Sequence, residues 1–517
     1  MNGAESLVHT LLKCGVDTCF VNPGTSEMHF VAALDRIPGM RSVLCLQENV
    51  VTGAADAYYR VTGKPAATLL HCGPGLANGL ANLHNARRAR SGIVNIVGDQ
   101  ATYHRPLDAP LTADAEGWAR PVSTFVRTAL SSNRVGEDAA AAVQAARVPP
   151  GGIATLILPS DASWDDGGMV GTPLPVAIAP SIDPHAVRHA ARILREKKNV
   201  LLLLGGDAVH AASQRLAWRI AAMTGAKLMT ELSNARTERG QGRLPLERVP
   251  YPSDAAVKTL APYDHLILVN AMPPVGFFAY PGKPSRQYKE GADLHVLSCV
   301  EQNAEQALQA LVDELGAPPA DIPGNGPKPS IVKGKPTPED LATTIAAVLP
   351  EGAVIVDESV SYGRGFFRNT HAAAPHDWLQ IMGGAIGAGI PLAVGSAIGL
   401  RAQSADDRRV LALQADGSAM YTLQGLWTQA REKLPVTTVI LSNRKYQILI
   451  GELASVGANP GPTAMNMLDL GNPDIGWVKL AESLGVEAAQ TDTLEGCAGL
   501  MAGSFKRQGP FLIELLI

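Results

Sequence analysis

The sequence has few cysteines, and none of them is spaced for a metal site or a disulfide framework. No CxxC pair occurs, and no cluster of histidine and cysteine has zinc-site spacing. A structural zinc site and a disulfide-rich secreted scaffold are therefore not expected. We interpret most of the cysteines as small buried apolar residues in a reducing compartment, which predicts a cytoplasmic protein. The six cysteines are Cys14, Cys19, Cys45, Cys72, Cys299 and Cys497.

Long hydrophobic runs and strong net charge are also lacking. The apolar run at 200–204 has the length of a strand, far below the ~20 residues that a membrane-spanning helix needs. The amino-terminal stretch has an apolar helical stripe but neither a cationic start nor a signal-cleavage site. The formal net charge is −4, so no general attraction to nucleic acid or to an anionic membrane is expected. We therefore predict neither a membrane nor a nucleic-acid partner.

The chain does contain an alternation of short apolar runs with helical patterns from end to end. This alternation is typical of parallel βαβ units, and 517 residues exceed one hydrophobic core. Two stretches, 165–182 and 316–336, are rich in Gly and Pro and are interpreted as linkers. Helix starts follow them at Asp183 and Thr337, each before a proline. We predict an α/β fold of three doubly wound domains with mostly parallel, six-stranded sheets. The predicted domain limits are 1–165, 183–315 and 337–517.

Two hard oxygen ligands follow neighbouring strands in the segment 409–450. A right-handed crossover brings both strand ends to one edge of a sheet, so Asp416 and Asn443, 27 residues apart, should converge there. Gly417 and Ser418 lie at a helix start, where free backbone N–H groups favour phosphate. The combination predicts a Mg²⁺ and phosphate site, and a solvated strand-end Asp with a turn Asn is the alternative. The predicted elements are a strand at 409–415, a helix at 420–433 and a strand at 436–442.

A carboxylate closes an apolar run at the mouth of another predicted strand. Glu48 follows the run at 43–46, and Val50 and Val51 come almost directly after it. Burial of an unpaired carboxylate is costly, whereas an apolar setting favours the protonated form of a carboxyl group. Glu48 is therefore either a group that uses its proton in catalysis or a helix N-terminal glutamate favoured by the macrodipole. The local sequence fits both interpretations.

A glycine-rich segment suggests a nicotinamide dehydrogenase as a weak rival. Gly73, Gly75 and Gly79 follow a predicted strand at 66–70. Their spacing departs from the usual G-x-G-x-x-G. The acidic residue expected about 20 residues later for the ribose is also missing, since Asp99 is the first acid after the motif. The dinucleotide-binding interpretation is therefore disfavoured.

The segment with Asp416 and Asn443 resembles the diphosphate motif of thiamine-diphosphate-dependent enzymes. In that family an Asp, an Asn and the carbonyl two residues after the Asn hold Mg²⁺ on the cofactor's diphosphate. The resemblance implies Asp416, Asn443 and the carbonyl of Lys445 as metal ligands, with Gly417 and Ser418 binding the cofactor. Two positions depart from the motif without removing a ligand: Ala415, where Gly is usual, and Ser442, where Asn is usual.

The stretch around Glu48 resembles the same family's glutamate motif. The register agrees at Glu48, Asp56, Tyr58 and Arg60, and Ala57 replaces the usual glycine. In the family this glutamate shares a proton with the aminopyrimidine ring of the cofactor. The resemblance therefore implies that Glu48 is the catalytic glutamate, and it extends over the family's three-domain order.

A third family feature is the run GGAIGAGIPLAVG at 383–395. The resemblance implies that Ile386 is the apolar wedge that bends the cofactor. It also implies that the carbonyl of Gly384 accepts the cofactor's amino group. Taken alone, this run is equally typical of tight helix–strand packing.

The first third of the chain looks most similar to benzoylformate decarboxylase, in the stretches 21–27 and 69–79. By that similarity Ser26 matches a serine that binds the substrate carboxylate. His71 matches an active-site histidine, a residue able to move protons near neutral pH. The alternatives are a helix N-cap for Ser26 and a hydrogen-bonded strand-end histidine for His71.

Two positions depart from that decarboxylase. Phe278 stands where a second active-site histidine is expected, and Glu452 stands where an aromatic residue lines the substrate side. These departures weaken the assignment of benzoylformate as substrate and favour a polar or small one.

The resemblance implies a thiamine-diphosphate- and Mg²⁺-dependent enzyme that decarboxylates a 2-oxo acid and releases an aldehyde or transfers the fragment to an acceptor carbonyl. The alternatives are an acetolactate-synthase-like carboligase and a non-catalytic paralogue with the same fold. FAD, which some relatives carry at the central domain, has no decisive signal in the sequence. The implied partners are a small 2-oxo acid and further copies of the chain, with a homodimer as minimal active unit and a homotetramer as the expected assembly.

Overall fold

The computed structural model describes residues 1–405 and 407–517, and its first unit is built on a parallel six-stranded sheet. The strands are β1 (Thr18–Val21), β2 (Arg41–Leu44), β3 (Ala66–Leu70), β4 (Ile93–Asp99), β5 (Phe125–Thr128) and β6 (Ile153–Pro159). They lie in the order β2-β1-β3-β4-β6-β5. The helices are α1 (Gly3–Lys13), α2 (Met28–Arg36), α3 (Glu48–Thr62), α4 (Cys72–Ala89), α5 (Ala115–Ala119), α6 (Val135–Arg147) and α7 (Ser160–Trp164).

The second unit contains a smaller parallel sheet. The strands in this part of the chain are β7 (Val200–Leu204), β8 (Lys227–Thr230), β9 (Thr237–Arg239), β10 (Glu247–Arg248), β11 (His265–Val269) and β12 (Asp293–Ser298). Five of them form a sheet in the order β10-β8-β7-β11-β12, and β9 belongs to the sheet of the third unit. The helices are α8 (Pro184–Glu196), α9 (Ala211–Thr224), α10 (Ser253–Leu260) and α11 (Ala304–Leu315).

The third unit is built on a seven-stranded sheet. Its own strands are β13 (Val354–Glu358), β14 (His376–Gln380), β15 (Val410–Ala415), β16 (Val436–Ser442), β17 (Glu487–Thr491) and β18 (Phe511–Leu516). The order is β17-β18-β16-β15-β13-β14-β9, with β9 antiparallel to β14. The helices are α12 (Pro338–Val348), α13 (Phe366–Asn369), α14 (Gly389–Ala402), α15 (Asp416–Ala419), α16 (Gln424–Arg431), α17 (Gln447–Ser455), α18 (Pro462–Asn466), α19 (Trp477–Ser483) and α20 (Leu494–Ser504).

The predicted α/β class with mostly parallel sheets is confirmed, but the prediction of six strands in each sheet is wrong for two of them. The central sheet has five strands and the last has seven. The reason is that β9, which lies in the central part of the sequence, pairs with β14 of the third unit. Pairing between strands so far apart in sequence leaves no local signal. The domain limits given above stay a proposal.

The two predicted helix starts after the Gly- and Pro-rich stretches are confirmed. The side chain of Asp183 accepts the backbone N–H of His185 at 2.8 Å and begins α8. Thr337 accepts the N–H of Asp340 at 3.2 Å and begins α12. A proline follows each cap at the first helical position, where its missing N–H has no partner to lose.

The first and third units share one hydrophobic core along the pair α3 and α14. Residues 389–400 of α14 are all buried, because the helix lies between α3 and the third sheet. The two helices approach so closely that the carbonyl of Ala54 contacts the Cα of Gly395, where any side chain would clash. No helix within the described ranges is both long and apolar enough to cross a membrane.

Two residues of the glutamate motif join α3 to the third sheet. Arg60 forms a buried ion pair with Asp56, with Nη2 2.6 Å from Oδ2. Its Nη1 donates to the carbonyl of Gln380 on β14 at 2.7 Å. Because both charges are buried and hydrogen-bonded to each other, loss of either would leave the other unpaired at a high energetic cost.

The helix predicted at 420–433 is wrong in its limits. The chain instead forms the short α15, turns, and forms α16 from Gln424. The side chain of Thr422 is buried in this turn and donates to the carbonyl of Gly387 at 3.0 Å. A tertiary hydrogen bond thus interrupts a segment whose helical periodicity is continuous.

Candidate active site

Asp416 and Asn443 meet at one edge of the third sheet. Strands β15 and β16 are parallel neighbours, with Ala415 paired to Leu441, so the residues after them lie side by side. Oδ2 of Asp416 accepts the backbone N–H of Arg444 at 2.7 Å, directly after Asn443. The crossover rule therefore predicts this convergence correctly.

The carboxyl group of Asp416 is buried and faces backbone amides rather than cations. It is 3% exposed, and burial raises its pKa although the amides of Arg444, Gly417 and Asn443 oppose that rise. No Lys, Arg or His forms an ion pair with it within residues 1–405 and 407–517. A buried carboxylate beside an amide oxygen is a donor set that fits Mg²⁺.

The remaining residues predicted at this edge surround Asp416. Gly417 and Ser418 form the buried first turn of α15, and the ring of Tyr446 packs directly on the Cα of Gly417. Oδ1 of Asn443 accepts the N–H of Lys445 at 3.1 Å, and the carbonyl of Lys445 accepts the N–H of Gln447 at 3.0 Å. Bulk at residue 417 would displace the tyrosine ring, so this packing requires a glycine.

Helix α4 holds alternate carbonyls of the glycine-rich loop that precedes α14. His84 lies 3.1 Å from the carbonyl of Gly383. Asn85 donates to the carbonyl of Ala385 at 2.8 Å, and Asn82 donates to that of Gly387 at 3.2 Å. These three contacts fix the path of the loop from one side.

The two loop residues predicted to contact the cofactor are left free by this arrangement. Gly384 has a φ of +77°, a left-handed conformation that glycine adopts without strain. Its carbonyl accepts no hydrogen bond from any residue in the described ranges. Ile386 is only partly buried. A free carbonyl and an apolar side chain on a fixed loop fit the predicted contacts to an aminopyrimidine ring.

A second buried glutamate, Glu358, accepts hydrogen bonds from the same loop, and the sequence analysis did not predict it. Glu358 accepts the N–H groups of Gly387 at 2.6 Å and Gly389 at 2.5 Å, and Nε2 of Gln414 donates to it at 2.9 Å. Burial raises its pKa. The available signal was an acidic residue closing the apolar strand β13, the same kind of signal that singled out Glu48.

We expect Glu358→Gln to loosen the loop and lower the free energy of unfolding by about 1–3 kcal/mol. The amide that replaces one oxygen would place N–H groups against the N–H groups of Gly387 or Gly389. Urea denaturation measures the change, and cofactor affinity should fall in parallel. Glu339→Gln, on the exposed start of α12, is the matched control. A stability equal to that of the control would contradict the supporting role.

Glu48 is buried at the first position of α3 with one side-chain partner. Nδ2 of Asn78 donates to its Oε2 at 3.1 Å, and the residue is 6% exposed. The helix cap is supplied by Gln47, whose side chain accepts the N–H groups of Asn49 and Val50. The helix therefore does not need Glu48 as its cap. Within the described part of the chain no cation pairs with it.

His71 and Ser26 meet at the end of β3, and a buried glutamate holds them together. Nδ1 of His71 lies 3.1 Å from both carboxylate oxygens of Glu27, which is fully buried at its side chain. The hydroxyl of Ser26 donates to Glu27 and lies 3.3 Å from Nδ1 of His71 and 3.1 Å from Sγ of Cys72. The N-cap alternative for Ser26 does not fit, because Gly24 and Glu27 hold the cap positions.

Glu27 determines which nitrogen of His71 is available. An Nδ1–H that donates to a carboxylate leaves Nε2 as the free acceptor, and the imidazole is about one fifth exposed. Sequence reasoning missed Glu27, although it directly follows Ser26, because its partner lies 44 residues away. The arrangement can take or deliver a proton at Nε2.

A large cavity lies beside the central sheet, in the part of the chain where some relatives carry FAD. Its volume is about 1280 Å³, and its walls include Gly206 and Glu231, which follow β7 and β8, and Arg90 at the end of α4. Burial raises the pKa of Glu231 to about 7. The size and the position at strand ends suit a nucleotide in general and are not a specific signal for FAD.

Comparison with known proteins agrees with the geometry of both cofactor-binding units. The description "Thiamine pyrophosphate enzyme, N-terminal TPP binding domain" matches residues 1–118, and "Thiamine pyrophosphate enzyme, C-terminal TPP binding domain" matches residues 361–515. A Mycobacterium tuberculosis protein named "Putative acetolactate synthase large subunit IlvX" is 48% identical over 100% of this chain and 99% of its own length.

More distant relatives cover the chain equally well. The benzoylformate decarboxylase of Pseudomonas aeruginosa is 27% identical over 98% of this chain and 97% of its own. The solved structure of the thiamine diphosphate-dependent 4-hydroxybenzoylformate decarboxylase of Rhodococcus jostii RHA1 superposes with a TM-score of 0.85 at 25% identity, covering 100% and 99% of the two chains. The chain therefore belongs to the thiamine-pyrophosphate-dependent enzymes.

Proposed function

We propose that the chain is a Mg²⁺- and thiamine-diphosphate-dependent enzyme that removes carbon dioxide from a small 2-oxo acid. The remaining fragment is released as an aldehyde or passed to an acceptor carbonyl. The observation that carries this proposal is Glu48, a buried carboxyl group with an amide partner at one oxygen and no cation nearby in the described ranges. A carboxyl group placed in this way can share a proton with a ring nitrogen that comes within hydrogen-bond distance.

The third unit offers the residues that would hold the metal and the diphosphate. Asp416, Asn443 and the carbonyl of Lys445 would ligate Mg²⁺, and the N–H groups at Gly417 and Ser418 would face phosphate oxygens. When bound, thiamine diphosphate supplies the carbon nucleophile and accepts the electrons left by the departing carbon dioxide. The cofactor carries the chemistry, and these residues place it.

The first unit offers the residues that would move protons. Glu48 would share a proton with the cofactor's aminopyrimidine ring. Nε2 of His71, freed by the contact of Nδ1 with Glu27, would exchange a proton with the substrate or product. We assign Ser26 to the same region, beside the substrate carboxylate.

We further propose a homodimer as the minimal active unit and a homotetramer as the assembly. The family resemblance pairs the two cofactor-binding domains across subunits, so Glu48 would serve a neighbouring chain's site. Many soluble enzymes with shared sites assemble as closed symmetric oligomers of this kind.

A panel of 2-oxo acids with product analysis tests the proposed function. We expect purified protein with Mg²⁺ and thiamine diphosphate to consume at least one 2-oxo acid and to release carbon dioxide. An aldehyde product supports the decarboxylase, and a 2-hydroxy-ketone supports the carboligase, which the 48% identity to a relative named as acetolactate synthase favours as second candidate. Cofactor binding without turnover over the whole panel would instead support a non-catalytic paralogue.

A further inference from the structure

A carboxylate held by two tyrosines lies on the wall that faces the expected substrate. We call Tyr251, Tyr280 and Glu452 the carboxylate–tyrosine cluster. The hydroxyl of Tyr280 donates to Oε2 of Glu452 at 2.9 Å, and that of Tyr251 donates to Oε1 at 3.4 Å. The two tyrosines come from the central unit and the glutamate from α17 of the third, so the cluster joins the two units.

One aromatic side chain, Phe277, separates the cluster from the loop that is predicted to bind the cofactor. The ring of Phe277 lies 5.5 Å from that of Tyr251, centroid to centroid. On its other side Phe277 packs on Gly384, where a Cβ would lie 2.5 Å from Cζ of the phenyl ring. Glu452 itself follows Asn443 by nine residues, on the helix that begins after the metal loop. Its position therefore belongs to the candidate site.

The carboxylate of Glu452 has hydrogen-bond donors but no cationic partner. Within residues 1–405 and 407–517, no Lys, Arg or His forms an ion pair with it. Two cations lie over the rings of the cluster without pairing with Glu452. The guanidinium of Arg364 is 4.8 Å from the centroid of the Tyr251 ring, and Lys283, 5.6 Å from that of Tyr280, pairs with Asp254 at 2.6 Å. Glu452 thus has phenol donors but no direct ionic partner in the described ranges.

The two phenols keep their protons and act as hydrogen-bond donors to the glutamate. Burial raises the pKa of Tyr280 and of Tyr251, and the neighbouring Glu452 adds to both shifts. Each carboxylate oxygen accepts one phenol and retains a lone pair for a further donor. A ligand with several N–H donors could therefore complete the cluster.

We propose that the carboxylate–tyrosine cluster recognises a cationic group at the far end of the 2-oxo acid substrate. The inference rests on the proposed function and names its substrate class: 2-oxo acids that end in a guanidinium or ammonium group. Phe278, 58% exposed beside Phe277, offers an apolar wall for the connecting methylene groups.

The aromatic substrates of the named relatives do not suit this wall. A phenyl ring would remove water from the carboxylate of Glu452 without offering it a cation, and burial of a charge without an ionic partner is costly. A cationic end forms a charge-assisted hydrogen bond in the same place. The sequence departures at Phe278 and Glu452 therefore have one common explanation.

The experiment compares substrates of equal size and different charge. The 2-oxo acid of arginine and its neutral ureido counterpart, the 2-oxo acid of citrulline, form the central pair, with benzoylformate and 2-oxoglutarate beside them. We expect kcat/KM for the guanidino acid to exceed that for the ureido acid by about 10-fold or more in the unaltered protein. Glu452→Gln should bring this preference close to unity, mainly by lowering kcat/KM for the guanidino acid.

Two further variants keep the test decisive. Tyr280→Phe removes one donor to the carboxylate but keeps the ring, so the preference should fall less than in Glu452→Gln. Glu482→Gln, an exposed glutamate of the same unit, should change nothing. Equal rates for the guanidino and ureido acids, or a preference for benzoylformate, would overturn the cluster's role and leave the proposed function standing. Absence of turnover with every acid would overturn both.

Discussion

Glu48→Gln is expected to lower turnover by about 10²- to 10⁴-fold while the protein folds and binds its cofactor normally. The substitution keeps the size and shape of the side chain and an oxygen that can still accept from Asn78. It removes the only exchangeable carboxyl proton at this position. The loss should therefore appear in kcat rather than in cofactor affinity.

We expect the Glu48→Gln variant to fold as the unaltered protein does. Gln47, not Glu48, caps α3, so the helix start does not depend on the charge. The glutamate forms no ion pair within the described ranges, so no buried cation is left behind. An uncharged amide in a buried position costs less desolvation energy than a carboxylate, and we expect equal or slightly higher stability.

Steady-state kinetics with the best 2-oxo acid, together with calorimetric titration of thiamine diphosphate in Mg²⁺, separates the two effects. Glu137→Gln is the matched control, because Glu137 also lies in the first turn of a helix but is exposed. Near-normal turnover in Glu48→Gln would refute the proton-carrying role. Lost cofactor affinity with unchanged kcat at saturation would assign Glu48 to binding alone.

The parts of the site that could be predicted follow from local chain order. Asp416 and Asn443 each come directly after a strand, and the handedness of the crossover between the strands determines where they meet. Asp183 and Thr337 begin helices because a capping side chain stands directly before a proline. In each case the evidence lies within a few residues of the feature.

The parts that could not be predicted depend on partners far away in the sequence. Glu27 needs His71, and Glu358 needs the loop at 387–389, so neither residue shows its role in its own neighbourhood. The turn before α16 depends on the contact of Thr422 with Gly387, which overrides a continuous helical period. Tertiary contacts of this kind are determined by packing rather than by propensity.

Asp416→Ala is expected to abolish the Mg²⁺-dependent part of thiamine diphosphate binding, with a loss of affinity of about 100-fold or more. The carboxylate is buried at the sheet edge with raised pKa, so its charge is a cost to the folded protein in the absence of a cation. A divalent ion would offset that cost, and no side-chain cation in the described ranges does so. Metal binding, as proposed, would explain why a buried carboxylate is kept at this position.

The alanine variant has a structural side effect that a second variant separates. Asp416 accepts the N–H groups of Gly417 and Arg444, and alanine leaves both without this acceptor. Asp416→Asn keeps an acceptor oxygen but not the charge, so it should fold more stably than the alanine variant and still bind metal poorly. Calorimetric titration of the cofactor with and without Mg²⁺ measures the effect, with Asp492→Asn on the exposed surface as control. Unchanged affinity of both Asp416 variants in Mg²⁺ would show that the metal is held elsewhere, because a ligand carboxylate cannot be removed without cost when Mg²⁺ takes so few from the protein.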